Sequence, residues 1–135
     1  MSYTLLQRLV SLALVMAGVG FTPAAFAQRL PRLRQGMSYP TAREQLIARG
    51  WQPVVNPDML EVTNTTPIVA YLISQGFSEL MGCQPFGVDV CAFQFRNRRG
   101  HILEIATVHL GVTPGGTITS WVVRKNNTNP NNPGN

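Results

Sequence analysis

Charge, histidine and cysteine are all scarce in this 135-residue chain, and each scarcity narrows what it can be. Charged residues make up 13% of the sequence, where soluble domains average about 25%. Six acidic residues and two histidines are thin material for acid–base pairs or metal centres. There is no G-x-S-x-G, no H-E-x-x-H and no glycine-rich phosphate loop, so the sequence assigns no catalytic residue, no metal ligand and no cofactor. A membrane-spanning helix needs about 20 apolar residues. The apolar stretch Leu9 to Phe21 has only thirteen, so no stable membrane span is expected.

That short stretch has another use. Met1 to Arg8 is polar and basic, Leu9 to Phe21 is uncharged and apolar, and Ala24-Ala25-Phe26-Ala27 supplies small residues before Gln28. Three zones in this order read as a secretory signal peptide, residues 1–27, cleaved after Ala27. An uncleaved anchor or a buried N-terminal helix is the alternative. The residue after the expected cleavage point is Gln28 and not cysteine, which leaves no acceptor for an N-terminal lipid. The expected location is periplasmic or secreted, and an exported protein has little access to nucleic acid.

Cys83 and Cys91 are the only thiols. In an oxidising compartment an even count favours a disulfide. Pro85 and Gly87 let the intervening segment turn back, as the bond requires. Redox-active pairs are usually spaced Cys-x-x-Cys at a helix start, and this spacing is much wider.

After removal of residues 1–27 the chain carries ten Lys and Arg against six Asp and Glu, a net charge of +4. Residues 28–35 form a basic extended arm containing Arg29, Arg32 and Arg34. A single domain is expected over 36–125, followed by a disordered tail at 126–135, where Asn, Pro, Gly and Thr leave nothing apolar to bury.

Within the domain, Ser38-Tyr39-Pro40 starts a helix over 40–49 and Gly50 stops it, with Ala42, Leu46, Ile47 and Trp51 facing the core. Thr66-Pro67 to Gly76 repeats the pattern. Its β-branched Ile68, Val69 and Ile73 leave a strand open as an alternative. Phe77 to Val90 reads as irregular. Beyond it, residues alternate in three strands: Cys91 to Arg96, Leu103 to Thr107 and Ile118 to Arg124. The turns Asn97–Gly100 and Thr113–Gly116 join them. The fold expected is α+β, with two short N-terminal helices packed on a three- to four-stranded antiparallel sheet.

Two blocks of residues carry a resemblance. The first is Gly36-Met37-Ser38-Tyr39 with Ala42-Arg43, Leu46-Ile47 and Gly50-Trp51-Gln52-Pro53. The second runs from Gly76-Phe77-Ser78-Glu79-Leu80 through Cys83 and Cys91 to Phe93, Phe95, Gly100, Leu103, Glu104, Ile105, Thr107 and Trp121. Together they resemble small exported bacterial proteins with the pattern A-R-x-x-L-I-x-x-G-W-x-P, then G-[YF]-x-E-[LV], then C-x-F-x-F. That resemblance implies a bacterial periplasmic domain and brings no activity with it. The opening G-M-S-Y also resembles β-lactamase-inhibitor-like domains and small outer-membrane-assembly lipoproteins, which lay a helical hairpin on an antiparallel sheet and bind proteins. The first helix is similar, over about fifteen residues, to the start of a peptidoglycan-binding PASTA module.

Candidate functional residues are few. His101 and His109 lie eight residues apart on one strand, about 27 Å when extended, too far to share a ligand. Glu79 and Asp89 are isolated carboxylates flanking the cystine loop. Trp51, Phe93, Phe95 and Trp121 read as core, with exposed interface anchors as the alternative. Arg96, Arg98 and Arg99 at a hairpin tip, with Trp121, form the candidate interaction set. The function expected is a non-enzymatic interaction or accessory domain of the cell envelope, whose partner is another envelope protein. A binder of the cell wall or an anionic envelope polymer is the alternative, and a small hydrolase the third reading.

Overall fold

The structure, a computed structural model, describes residues 29–61 and 66–125. The expected signal peptide and C-terminal tail lie outside the described residues.

Helix α1 spans Tyr39–Ala48. Ser38 caps it by accepting from the Thr41 N–H at 3.4 Å, and Pro40 sits in the first turn, where a missing N–H costs nothing. Gly50 ends it at φ +84°, open to glycine and costly for other residues. Because the helix begins at Tyr39, the buried row is Tyr39, Ala42 and Leu46. Ile47 is rotated off that row and is 44% exposed, against the expectation that it faces the core. Trp51 does face the core.

Strand β1 is the two residues Gln52–Pro53, and helix α2 is the single turn Pro57–Leu60, capped by the Asn56 side chain. Helix α3, Pro67–Ser74, buries Val69 and Leu72. Its Pro start and Gly76 stop prevail over the β propensity of its branched residues. Strands β2 (Leu80–Pro85), β3 (Asp89–Arg96), β4 (Ile102–His109) and β5 (Thr117–Arg124) follow.

The architecture is α+β, with one antiparallel sheet. It has five strands where three or four were expected. β3 pairs with β4 along one edge, and its other edge is shared by β2 and β1. β5 continues the sheet beyond β4. The helices are not a purely N-terminal pair, since β1 falls between α1 and α2. Both added strands depend on β3 for pairing. β1 is too short to carry a period of its own, and β2 lacks alternation because it contains Gly82 and Pro85 and a register shift between Leu80 and Gly82.

One sheet face is the core. Cys91, Phe93 and Phe95 of β3, Leu103 and Ile105 of β4, and Ile118 of β5 pack with Tyr39, Leu46, Trp51, Leu72 and Leu80. Leu33 of the basic arm is 7% exposed and belongs to the same core, so the arm is docked at that point. Gly116 closes the β4–β5 connection. A Cβ there would sit on the Val108 carbonyl oxygen, and φ is +74°.

Cys83 and Cys91 are disulfide-bonded and directly opposed across β2 and β3, with Cα atoms 4.1 Å apart. The bond pins β2 to the sheet. Closing a loop of sequence separation 8 restricts the unfolded chain by about 2.5 kcal/mol. Reduction, or the double replacement Cys83→Ala/Cys91→Ala, should therefore lower the urea midpoint by roughly 1–2 M. An unchanged midpoint would mean that β2 holds its place without the bond.

Candidate functional site

Three features lie outside the plain core: a buried polar cluster, the sheet face left uncovered among the described residues, and the hairpin tip.

The buried cluster joins α1 to the entry of β2. Tyr39 and Arg43 are four residues apart on α1, hence on one side of the helix. Both reach Glu79, which is wholly buried. The Tyr39 hydroxyl donates to Glu79 Oε1 at 2.6 Å. Arg43 Nε donates to the same oxygen at 2.6 Å, and Arg43 Nη2 reaches Oε2 at 3.4 Å. The Glu79 carbonyl accepts from the Gln94 N–H at 3.0 Å, so this residue ties helix, β2 and β3 together.

Aromatic rings enclose the cluster. Tyr39 stacks on Phe93 with centroids 3.7 Å apart and meets the edge of Phe77 at 5.3 Å. The Arg43 guanidinium lies 5.5 Å from the centre of the Phe77 ring. Burial first, then the Glu79 charge and the hydrogen bond to it, push the Tyr39 hydroxyl far above the usual tyrosine range. The bond to Glu79 likewise raises the Arg43 guanidinium above its ordinary value. A phenol held this firmly protonated is a poor base and a poor nucleophile. The cluster is a clamp: the Tyr39 hydroxyl and Arg43 Nε and Nη2 all converge on Glu79, and of the three residues only Arg43, with 26% of its side chain exposed, touches water. Glu79 carried little weight in the sequence because one carboxylate between Ser78 and Leu80 looks like any surface acid. The signal that could have found it is the pairing of Ala42-Arg43 with the G-[YF]-x-E-[LV] block.

The second feature is the sheet face opposite the core. Gly82, Ala92, Ala106 and Ser120 stand in register across β2, β3, β4 and β5. Four small residues in one row make a trough. Met81 and Phe86 stand at one end, 40% and 70% exposed, and Val122 at the other, 48% exposed. The trough holds two adjoining hollows, of about 570 Å³ and 310 Å³, which share Met81, Ala92 and Ala106 in their walls. Gln94, Glu104 and Arg124 close one end. Gln94 donates to Glu104 at 3.4 Å, and Arg124 pairs with Glu104 at 2.9 Å.

The third feature is the β3–β4 tip. Asn97 organises it, its Oδ1 accepting from the N–H groups of Arg99 and His101 at 3.0 and 2.9 Å. Arg98 and Arg99 project into solvent there. Arg96 is exposed on the last residue of β3, in register with Ile102 and Arg124. The tip therefore brings the three predicted arginines together at one end of the sheet. It does not bring Trp121 to them. Trp121 pairs with Ile105 on the core-facing side of β5, outside the buried core cluster, and is 36% exposed, where core burial was the first expectation and an exposed anchor the alternative. His101 is engaged with Asn97 at the tip, and His109 lies at the far end of β4 opposite Asp89. Among the described residues no group of three His, Cys, Asp or Glu side chains could hold a metal ion, and no helix is long and apolar enough to cross a membrane.

No protein-family model, curated protein or solved structure matches this chain.

Proposed function

We propose that this protein is a non-enzymatic interaction domain of the periplasm or the secreted compartment, whose uncovered sheet face docks another envelope protein. The trough along Gly82, Ala92, Ala106 and Ser120 carries this reading, because exposed Met81, Phe86 and Val122 gather around it on one face. Contiguous apolar surface of that kind marks contact sites in small domains. The clamp and the cystine support the reading from beneath: both stiffen β2 and β3, which form half the trough floor. A rigid face loses little freedom on binding.

Crosslinking in intact cells, followed by mass spectrometry, tests this. A discrete envelope partner should be recovered with the wild-type chain, and its yield should fall at least tenfold with Ala106→Arg, which fills the trough floor. Equal recovery from both proteins would refute the reading.

Exposed Arg96, Arg98 and Arg99, with Arg124 and Lys125 nearby, favour a second reading as a binder of anionic cell-wall polymer. Retention on purified peptidoglycan that falls with salt, and with Arg98→Glu/Arg99→Glu, would support it over the first.

A further inference from the structure

We infer that the outer edge of β5 is a self-association surface, along which a second copy of this chain adds antiparallel and continues the sheet. This does not rest on the function proposed above, since it uses the edge of the sheet and not its uncovered face.

β5 ends the sheet, and its far edge is only partly occupied. Gly36 N–H donates to the Ile118 carbonyl at 2.8 Å, and Ile118 N–H donates to the Met37 carbonyl at 2.9 Å. Ile118 therefore turns its backbone groups away from β4. In a strand of L-residues, those sharing a face send their N–H and C=O toward the same edge. Ile118, Trp121 and Val123 share the core-facing side, being opposite Thr107, Ile105 and Leu103. Trp121 and Val123 thus also turn outward, and among the described residues nothing outside the sheet receives them.

The stretch Thr119–Val123 has no proline and no charge, two of the devices that usually blunt an exposed edge; its one bulge, at Thr119, lies before the outward-facing Trp121 and Val123. Its Thr, Trp and Val residues are strong strand formers.

The geometry selects a second copy. A two-fold axis through Val122 sets Trp121 of each copy opposite Val123 of the other. The four outward N–H groups then meet the four outward C=O groups, giving four hydrogen bonds with none left over. Arg124 falls opposite Ser120 of the second copy, so the two Arg124 residues stand four positions apart, about 14 Å. That exceeds the screening length of about 8 Å at physiological salt. A parallel partner would instead place Arg124 against Arg124. Sliding the ladder toward Ile118 is blocked by residues 36 and 37, already bonded there. On the core-facing side, Trp121 lines a hollow of about 430 Å³ with Leu30, Pro31, Arg32, Leu33 and Arg34. Val123 of the second copy arrives beside that hollow, where Leu30, Pro31 and Leu33 offer it apolar contact.

Sedimentation of the exported protein over a range of concentrations tests this. The wild type should associate reversibly to a dimer. Val123→Pro removes an outward N–H and no β4 ladder bond, so it should weaken dimerisation at least tenfold with the far-ultraviolet circular dichroism unchanged. Val122→Cys places two thiols at the two-fold axis, with Cα atoms at about 4.5 Å, within disulfide range. It should oxidise to a covalent dimer, whereas Ser120→Cys should not. A wild type that stays monomeric at several hundred micromolar, a Val123→Pro protein that dimerises like wild type, or equal crosslinking of the two cysteine variants would each overturn the inference.

Discussion

Replacing Glu79 by Leu should cost the domain about 3–5 kcal/mol, a large share of its stability. That is the cost of removing one partner from a buried ion pair, out of a total stability of about 5–15 kcal/mol for a domain. The loss is shared unequally. Arg43 has 26% of its side chain exposed and can turn its guanidinium to water. The Tyr39 hydroxyl is wholly buried and has no other acceptor among the described residues, so it is stranded. Removing the donors as well should therefore restore much of the loss. Tyr39→Phe/Arg43→Met/Glu79→Leu is expected to be more stable than Glu79→Leu alone, because an apolar replacement of a complete polar cluster leaves no orphan. Urea unfolding of the variants, followed by near-ultraviolet circular dichroism, measures this. A single variant as stable as wild type would mean that the clamp contributes nothing to the fold.

The second large effect is alkaline unfolding. In the unfolded chain Tyr39 ionises near its ordinary value of 10.0, while in the folded protein burial and Glu79 hold its proton well beyond that. A group whose folded value is raised stabilises the fold fully below the unfolded value and loses that contribution as pH rises past it. Stability should thus be flat up to about pH 10 and then fall by about 1.4 kcal/mol per pH unit. Arg43 is also raised, but an arginine already ionises above this window in the unfolded chain, so its contribution does not change across it. Urea midpoints taken from pH 8 to 12 should show the fall in the wild type and a shallower one in Tyr39→Phe. That variant should start lower at neutral pH, by about 1.5–3 kcal/mol for a hydrogen bond to a charged group. Parallel curves for the two proteins would remove Tyr39 from the explanation.

Much of the frame was legible in the chain because local rules decide it. Ser38 and Gly50 bound α1 by capping and left-handed backbone, whatever surrounds them. The alternation from Cys91 to Arg96 and from Leu103 to Thr107 follows from one buried face, and both strands formed as expected. The elements that escaped depend on partners. Met81-Gly82-Cys83-Gln84-Pro85 has no period of its own and becomes a strand because β3 offers an edge and the cystine fixes it. Trp121 has the hydrophobicity of a core residue, but it lies beyond Ile118 on the outermost strand, beside Leu30 and Leu33 of the arm and outside the core cluster, so it stays partly exposed.

The candidate site was less legible still. Arg96, Arg98 and Arg99 share one tip, as a short turn requires. Glu79 draws its importance from Tyr39 and Arg43, some forty residues earlier, and no pattern within Phe77 to Val90 points there. The trough arises only when Gly82, Ala92, Ala106 and Ser120 fall into register, and register is a property of the folded sheet.

Site-specific photocrosslinking in the cells that make the protein tests the interaction surface most directly. A photoreactive side chain at Ser120, on the trough, is compared with one at Gln45, exposed on the outer side of α1. A discrete crosslinked species from Ser120, with none from Gln45, is expected if the uncovered sheet face is where this domain meets its partner. Indistinguishable products from the two positions, or none from Ser120 at full expression, would contradict it.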